Sequence, residues 1–305
     1  FKGDTLVQSF GETTIFSSNN LVDHTIKTVG LTGTGADKIV SSSEDIGAAI
    51  TDLITGDNIT IQIYQGEYTL TSSIVVNNDN IIIEGVHRQN VKIVSNLTND
   101  NIIEVTDSVG GGANISNVTL SGFTIDNTSN SNTGVIGIYC NGMRNCNIKD
   151  ININNCYTAM KLDDRNFFND IETVRTLSCY NTLILDGPGA SNKPNQNSFT
   201  KCLFNNNSND ILTINRGNNN FFSHCSFEVW SGTAVTIDIA NGNTFSSCRF
   251  EPATAVNYYI DLTSNSQENV FTNSYVTDNG LSWVSFDASI RDLGDGNCID
   301  TLNSF

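Results

Sequence analysis

The stretch NTFSSCRFE, Asn243 to Glu251, has a near copy in NFFSHCSFE, Asn220 to Glu228, and a looser one in NSFTKCLFN, Asn197 to Asn205. With each leading Asn set as position zero, apolar residues fall at +2, +5 and +7: Phe199, Cys202 and Phe204, then Phe222, Cys225 and Phe227, then Phe245, Cys248 and Phe250. Downstream, Asn269 opens a frame with Phe271, Ser274 and Val276. Upstream, Asn169 gives Ile171, Val174 and Thr176, and Cys146 gives Ile148, Ile151 and Ile153. The segment NVTLSGFTID fits with Leu120, Phe123 and Ile125, and DNIIIEGV fits with Ile83 and Val86. From Cys146 onward the frames step by 23, 28, 23, 23 and 26 residues. A constant core with elastic loops is the pattern of a solenoid, whose coils touch only their neighbours and take insertions in the turns.

Each repeat also holds a later alternating segment: TAMKLDD, NTLILDG, DILTINR, AVTIDIA, NYYIDLT and WVSFDAS. Alternation buries one face of a strand and leaves the other in water. Two short strands around the Asn-Phe phrase plus this third make a three-sided coil. Stacked as parallel strands about 4.8 Å apart, such coils predict an all-β fold, a right-handed parallel β-helix. Propeller blades need about 40 residues each, more than one step here supplies.

The open end of a β-helix presents unpaired backbone groups and must be covered. SSSEDIGAAITDLI supplies a cover over 42–55: Ser42 or Ser43 as N-cap, Glu44 and Asp45 in the first turn, and an apolar stripe of Ile46, Ala49, Ile50, Leu53 and Ile54. The expected organisation is an entry or neck segment over 1–41, the capped β-helix over 42–300 and a tail over 301–305.

Composition agrees. The 305 residues include 3 Pro, 24 Gly and 44 Asn, a makeup suited to many short strands joined by polar turns. A net charge of −17 argues against nucleic acid or an anionic bilayer as partner, since both require basic patches. No window approaches the roughly 18 to 20 apolar residues of a membrane-spanning helix, so no membrane insertion is expected. The 8 Cys lack any CxxC pair, and Cys202, Cys225 and Cys248 share one place in the repeat, which reads as free thiols stacked in the core. The chain opens at Phe1 without a signal-peptide pattern, which suggests an upstream segment removed by processing or a larger parent protein.

The run TVGLTGTGADKIVSSSEDIGAAITDLI, then NITIQIYQGEYTLTSSIVV and NIIIEG, resembles the entry to the pectate-lyase-like β-helix superfamily, above all phage tailspikes and virion polysaccharide depolymerases. The Asn-Phe-Cys-Phe-Glu rungs and the closing IRDLGDGNCI are similar to tailspike rungs, and the likeness covers about residues 25 to 300. It implies a virion or extracellular protein that binds, and potentially cleaves, a host cell-surface polysaccharide as a homotrimer. A secreted hydrolase or lyase acting on an acidic glycan, and a non-enzymatic adhesin or structural virion module, are the alternatives within the same superfamily.

Two sets of residues could perform chemistry. Position +8 reads Asn205, Glu228, Glu251, with the two Glu one strand spacing apart, near the roughly 5 Å between carboxylates of retaining glycosidases. Trp230 could stack on a sugar ring, His224 is a sugar contact or a bystander, and Arg249 could neutralise a uronate, with a surface salt bridge as its plainer alternative. The second set is a column of Asp163, Asp186, Asn215, Asp238, Asp261 and Asp287. Stacked carboxylates repel unless solvated, protonated or bridged by a cation such as Ca²⁺, which Asp238 and Asp261 could hold; otherwise no cofactor is required. Its densest point, Asp163 with Asp164 in KLDDRNF, is similar to the paired Asp of polygalacturonase-like hydrolases, whose Gly-His-Gly and Arg-Ile-Lys motifs are missing here. His24, His87 and His224 have no metal-ligand spacing, and no phosphate loop, Rossmann fingerprint or Ser-His-Asp arrangement is visible.

Overall fold

The computed structural model describes residues 5–9, 12–16, 27–31, 35–40, 45–54, 56–63, 65–106, 114–187, 189, 193–205, 209–229, 231–251, 259–278, 282–283 and 290–299. Residues before 45, and 277–278 and 282–283, are described by backbone only. Three long sheets of 12, 10 and 9 strands, called first, second and third, wind along one axis as a right-handed parallel β-helix. The rung opened by Asn220 shows the plan. Phe221–Ser223 lies in the first sheet, Ser226–Glu228 in the second and Val235–Ile237 in the third. Each strand pairs in parallel with its copy on the next rung, Phe222 opposite Phe245 and Phe227 opposite Phe250.

Strands of three residues leave little room to turn, and single residues in the left-handed region make the corners. His224 has φ 53°, and Thr173, Lys201, Ser247 and Asn273 take the same corner at 52° to 56°. These corners stay in the ladder: the His224 amide donates to the Ser246 carbonyl at 3.0 Å. A second corner follows the second sheet at Asn155, Ser178 and Val229, where β-branched Val229 holds φ 53° against its steric preference.

The interior is columnar. Phe199, Phe222, Phe245 and Phe271 stack with centroids 4.4 to 4.6 Å apart and planes within 6°. Phe227 and Phe250 form a second stack at 4.9 Å. Position zero, a polar letter in the sequence, is also inside. Asn169, Asn197, Asn220, Asn243 and Asn269 are all buried, and each side-chain amide donates to the carboxamide oxygen of the next rung's Asn at 2.9 to 3.1 Å. The same oxygens also accept the backbone amide of the previous Asn, as Asn220 Oδ1 does from Asn197 at 3.1 Å.

Seven cysteines, Cys140, Cys146, Cys156, Cys179, Cys202, Cys225 and Cys248, are free and buried, and Cys298 is free and exposed. Burial pushes the Cys140 and Cys202 thiols up and takes Cys146 to about 11, so these act as small apolar fillers. Thr176, also inward, keeps its hydroxyl without a partner among the described residues.

Three local expectations are corrected. The helix spans Ile46–Leu53 rather than 42–55, and its N-cap is Asp45; Ser42, Ser43 and Glu44 lie outside the described residues. Val86 is 58% exposed, because residues 86–90 loop outward and Val91 takes the inward place beside Ile93. The solenoid also begins earlier than 42: Gly35–Val40 pairs in parallel with Ile59–Ile63 and joins the first sheet.

The helix buries Ile46, Ile50 and Ile54 in the core and covers the end of the coil. Asp45 ties it there. Its carboxylate accepts from the Gly47 amide at 3.1 Å, the Thr71 amide at 3.0 Å, the Thr71 hydroxyl at 2.6 Å and the Ser72 hydroxyl at 2.9 Å. Partial burial works to raise the Asp45 pKa, and these hydrogen bonds outweigh it, holding the group below its ordinary 3.8. A depressed pKa gives stability that is present above the unfolded value and lost as pH falls through the folded one. Asp45→Ala should therefore cost about 0.5–2 kcal/mol at pH 7. Thermal melts run from pH 7 downward should show the gap between the two proteins closing only on the acid side of the ordinary carboxylate range.

Candidate functional site

Along the third sheet, strand alternation sorts the side chains. In Thr158–Asp163, Met160 and Leu162 point into the core while Lys161 and Asp163 point out. Leu162 opposite Leu185, and the Asp186 amide on the Leu162 carbonyl at 2.9 Å, set Asp186 beside Asp163 one rung on, about 4.8 Å between strands. Tyr139 stands opposite Lys161 on the previous rung, with Glu104 beyond it.

Asp163 is held from three sides. Lys161 Nζ donates to its Oδ2 at 2.8 Å, the Tyr139 hydroxyl reaches the same oxygen at 3.4 Å, and the Asp164 amide donates to Oδ1 at 3.1 Å. Burial, then the charge of Asp163, pushes the Tyr139 phenol up to about 12, so it keeps its proton and serves as a donor at neutral pH. Asp164 sits at a left-handed corner, φ 38°, with Arg165 Nε 3.3 Å from its Oδ2. Asp163 and Asp164 side chains are 23% and 16% exposed, open to a ligand but largely screened from bulk water. On the next rungs Asp186 accepts from the Gly187 amide at 2.8 Å, and Arg216 lies 3.9 Å from it. Lys161, Tyr139 and Arg216 were not singled out by sequence, although Lys161 is readable as the outward neighbour two residues before Asp163.

The column departs from the expected one at its lower end. Asn215 and Asp238 continue it, but Leu262 stands opposite Ile237, so Thr263 and not Asp261 follows Asp238. Asp261 lies two residues earlier, between Thr236 and Arg291, and Arg291 Nε donates to it at 2.7 Å. The strand Ile260–Leu262 enters the sheet with its apolar pair in register, and that alternation moves the acid out of line. Asp238 has its own partners, the Thr263 hydroxyl at 2.5 Å and Asn265 Nδ2 at 3.0 Å. The Thr263 bond, against partial burial, holds its pKa below the ordinary value. Among the described residues no three His, Cys, Asp or Glu converge as a metal site, and Asp287 lies outside them.

On the second sheet Glu228 stands opposite Glu251, and Asn205 opposite Glu228. Between the two Glu lies Arg249, which reaches Glu228 Oε1 at 3.0 Å and also pairs with Glu251. Glu228 further accepts from the Ser226 hydroxyl at 2.6 Å and Asn205 Nδ2 at 3.3 Å. The guanidinium joins the two carboxylates into one ion-paired group and relieves their repulsion. His224, exposed at its corner, pairs through Nδ1 with the Ser223 hydroxyl at 2.7 Å, and Trp230 lies outside the described residues.

No family model and no curated protein matches the chain. Solved structures do. The protein of ORF18 from Geobacillus virus E2 superposes with a TM-score of 0.60 at 16% identity, covering 85% of this chain and 58% of that one. DFA-IIIase from Arthrobacter chlorophenolicus A6, solved in complex with GF2, gives a TM-score of 0.64 at 15% identity, covering 85% and 76%. The catalytic domain of a GH87 α-1,3-glucanase in complex with nigerose gives 0.58 at 15% identity, covering 83% and 47%. The chain shares the β-helix fold of these proteins. It spans less than two thirds of the phage protein and about half of the glucanase structure. At these identities the likeness is one of fold.

Proposed function

We propose that this protein is a tailspike-like virion β-helix that binds a host cell-surface polysaccharide along the third sheet and cleaves it there. The observation behind this reading is the strip in which Asp163 and Asp164 on one rung and Asp186 on the next line up beside Lys161 and Tyr139. Glycoside hydrolysis needs two carboxyl groups, one as acid and one as base or nucleophile, roughly 5 Å apart for retention and up to about 9.5 Å for inversion. Adjacent rungs supply the shorter spacing. Asp163, oriented by Lys161 and the Tyr139 phenol, takes the role of nucleophile or base, and Asp164 or Asp186 that of acid. Fold neighbours that include a phage protein and two oligosaccharide complexes support a glycan as the ligand.

Reducing-end release from a panel of host capsular and lipopolysaccharide glycans tests the reading. Asp163→Asn, and the double variant Asp164→Asn with Asp186→Asn, should each lower the rate about 10²- to 10⁴-fold at an unchanged melting temperature. A rate that survives both but is abolished by Glu228→Gln or Glu251→Gln would move the reaction to the second sheet. A protein that neither binds nor degrades any glycan in the panel would overturn the function itself.

A further inference from the structure

The outward face of the first sheet is distinct from the strip around Asp163. Two adjoining hollows of about 330 and 320 Å³ lie on it, sharing Lys149 and Glu172. The loop over 86–90 builds one wall. Arg88 donates to the Thr173 carbonyl at 3.0 Å and pairs with Asp150 at 2.9 Å, and the Thr124 hydroxyl donates to the Arg88 carbonyl at 2.6 Å. Gly85 and Gly122 form part of the floor, where a Cβ on Gly85 would come within 2.3 Å of the Gly122 carbonyl oxygen. These ties hold the groove in shape without a ligand.

Three of its features suit a sugar. The side chains of Lys149 and Asp170 are exposed and form no ion pair or hydrogen bond with a described residue, unlike the carboxylates of the other two sheets. Ser198 and Thr200 place hydroxyls on the next rung. Beyond Ser198 in the same outward column stands Phe221, an aromatic ring 41% exposed in a position where neighbouring rungs have Ser198 and Thr244.

We infer that this groove is a second, non-catalytic glycan-binding site, and that it takes a neutral sugar chain running along the helix axis from Lys149 toward Phe221. The inference rests on the reading of the protein as glycan-binding but uses none of the residues of the proposed reaction. Free carboxylate oxygens accept from sugar hydroxyls, the Lys149 ammonium donates to them, and the Phe221 ring offers an apolar surface to the carbon face of a pyranose. Charge decides the class. Around the groove Arg88, Lys149 and Lys201 balance Asp150, Asp170 and Glu172, with Lys201 3.6 Å from Glu172. With no local excess of cations and −17 on the chain, a polyuronate or sialylated glycan meets net repulsion.

The test uses the Asp163→Asn protein, which separates binding from cleavage, on an array of neutral, uronate-containing and sialylated bacterial glycans. Neutral glycans should be retained, and Phe221→Ser and Lys149→Gln should each weaken that binding about tenfold at an unchanged melting temperature. In proteins with Asp163 intact, the same substitutions should raise KM for long polymer and leave kcat on short oligosaccharides alone. Undiminished binding in both variants, or a preference for acidic glycans, would sink this inference while leaving the proposed reaction standing. Absence of binding and cleavage with every glycan would remove both.

Discussion

Asn220→Ala should destabilise the coil by about 3–5 kcal/mol, above the usual range for a single substitution. Asn220 is fully buried, and its Oδ1 accepts from the Asn197 amide at 3.1 Å and from Asn197 Nδ2 at 2.9 Å. Its Nδ2 donates to the Pro194 carbonyl at 3.1 Å and to Asn243 Oδ1 at 3.0 Å. Truncation leaves the Asn197 amide and one hydrogen of Asn197 Nδ2 in the interior without an acceptor, each costing about 1–3 kcal/mol, while the Pro194 carbonyl keeps the Asn218 amide at 3.1 Å. Asn218, two residues earlier and only half-buried, makes a single side-chain hydrogen bond, accepting from the Asn241 amide at 3.1 Å. Asn218→Ala should accordingly cost about 1 kcal/mol. Urea midpoints of the two variants, measured against wild type, give the comparison; equal losses would show that the interior ladder has no special weight.

Phe222→Ala is expected to cost more still, about 4–6 kcal/mol. Phe222 lies between Phe199 and Phe245, 4.6 Å from each and nearly parallel to both. Removing the ring opens a cavity, for which Phe→Ala changes lose about 3–5 kcal/mol, and ends two offset stacks worth about 0.5–1.5 kcal/mol each. The walls are hydrogen-bonded strands locked to the rungs on either side, so collapse is limited. Phe222→Leu keeps most of the volume and should lose under about 2 kcal/mol. A Phe222→Ala protein within about 2 kcal/mol of wild type in calorimetry would mean that the stack adds little to stability.

The inward residues at +2, +5 and +7 were legible because their burial is a matter of period: Phe245, Cys248 and Phe250 repeat Phe222, Cys225 and Phe227, and all six are buried. The three-sided coil follows from that period. The capping helix was legible from its stripe, though its cap was misassigned, since Asp45 is chosen by Thr71 and Ser72, residues a full coil away. Val86 misled because an outward loop is invisible to a pattern that counts residues.

Polar positions behaved differently. Asn at position zero looks like a turn residue, and it is buried because the same residue on the next rung completes its hydrogen bonds. Asp238 and Asp261 look equivalent in sequence, yet Leu262 facing Ile237 sets the register and separates them. Glu228 and Glu251 were correctly expected as neighbours, but their sharing of Arg249 required the rungs in place. Tyr139 and Lys161 converge on Asp163 from two strands, and Lys149, Asp170 and Phe221 come together only across stacked rungs. The sequence by itself determined the coil, because hydrophobic burial depends on a residue's own periodic place. Only the tertiary structure decided which polar groups act together, because hydrogen bonds and ion pairs need a partner at a few ångströms, and here that partner lies one circuit of the chain away.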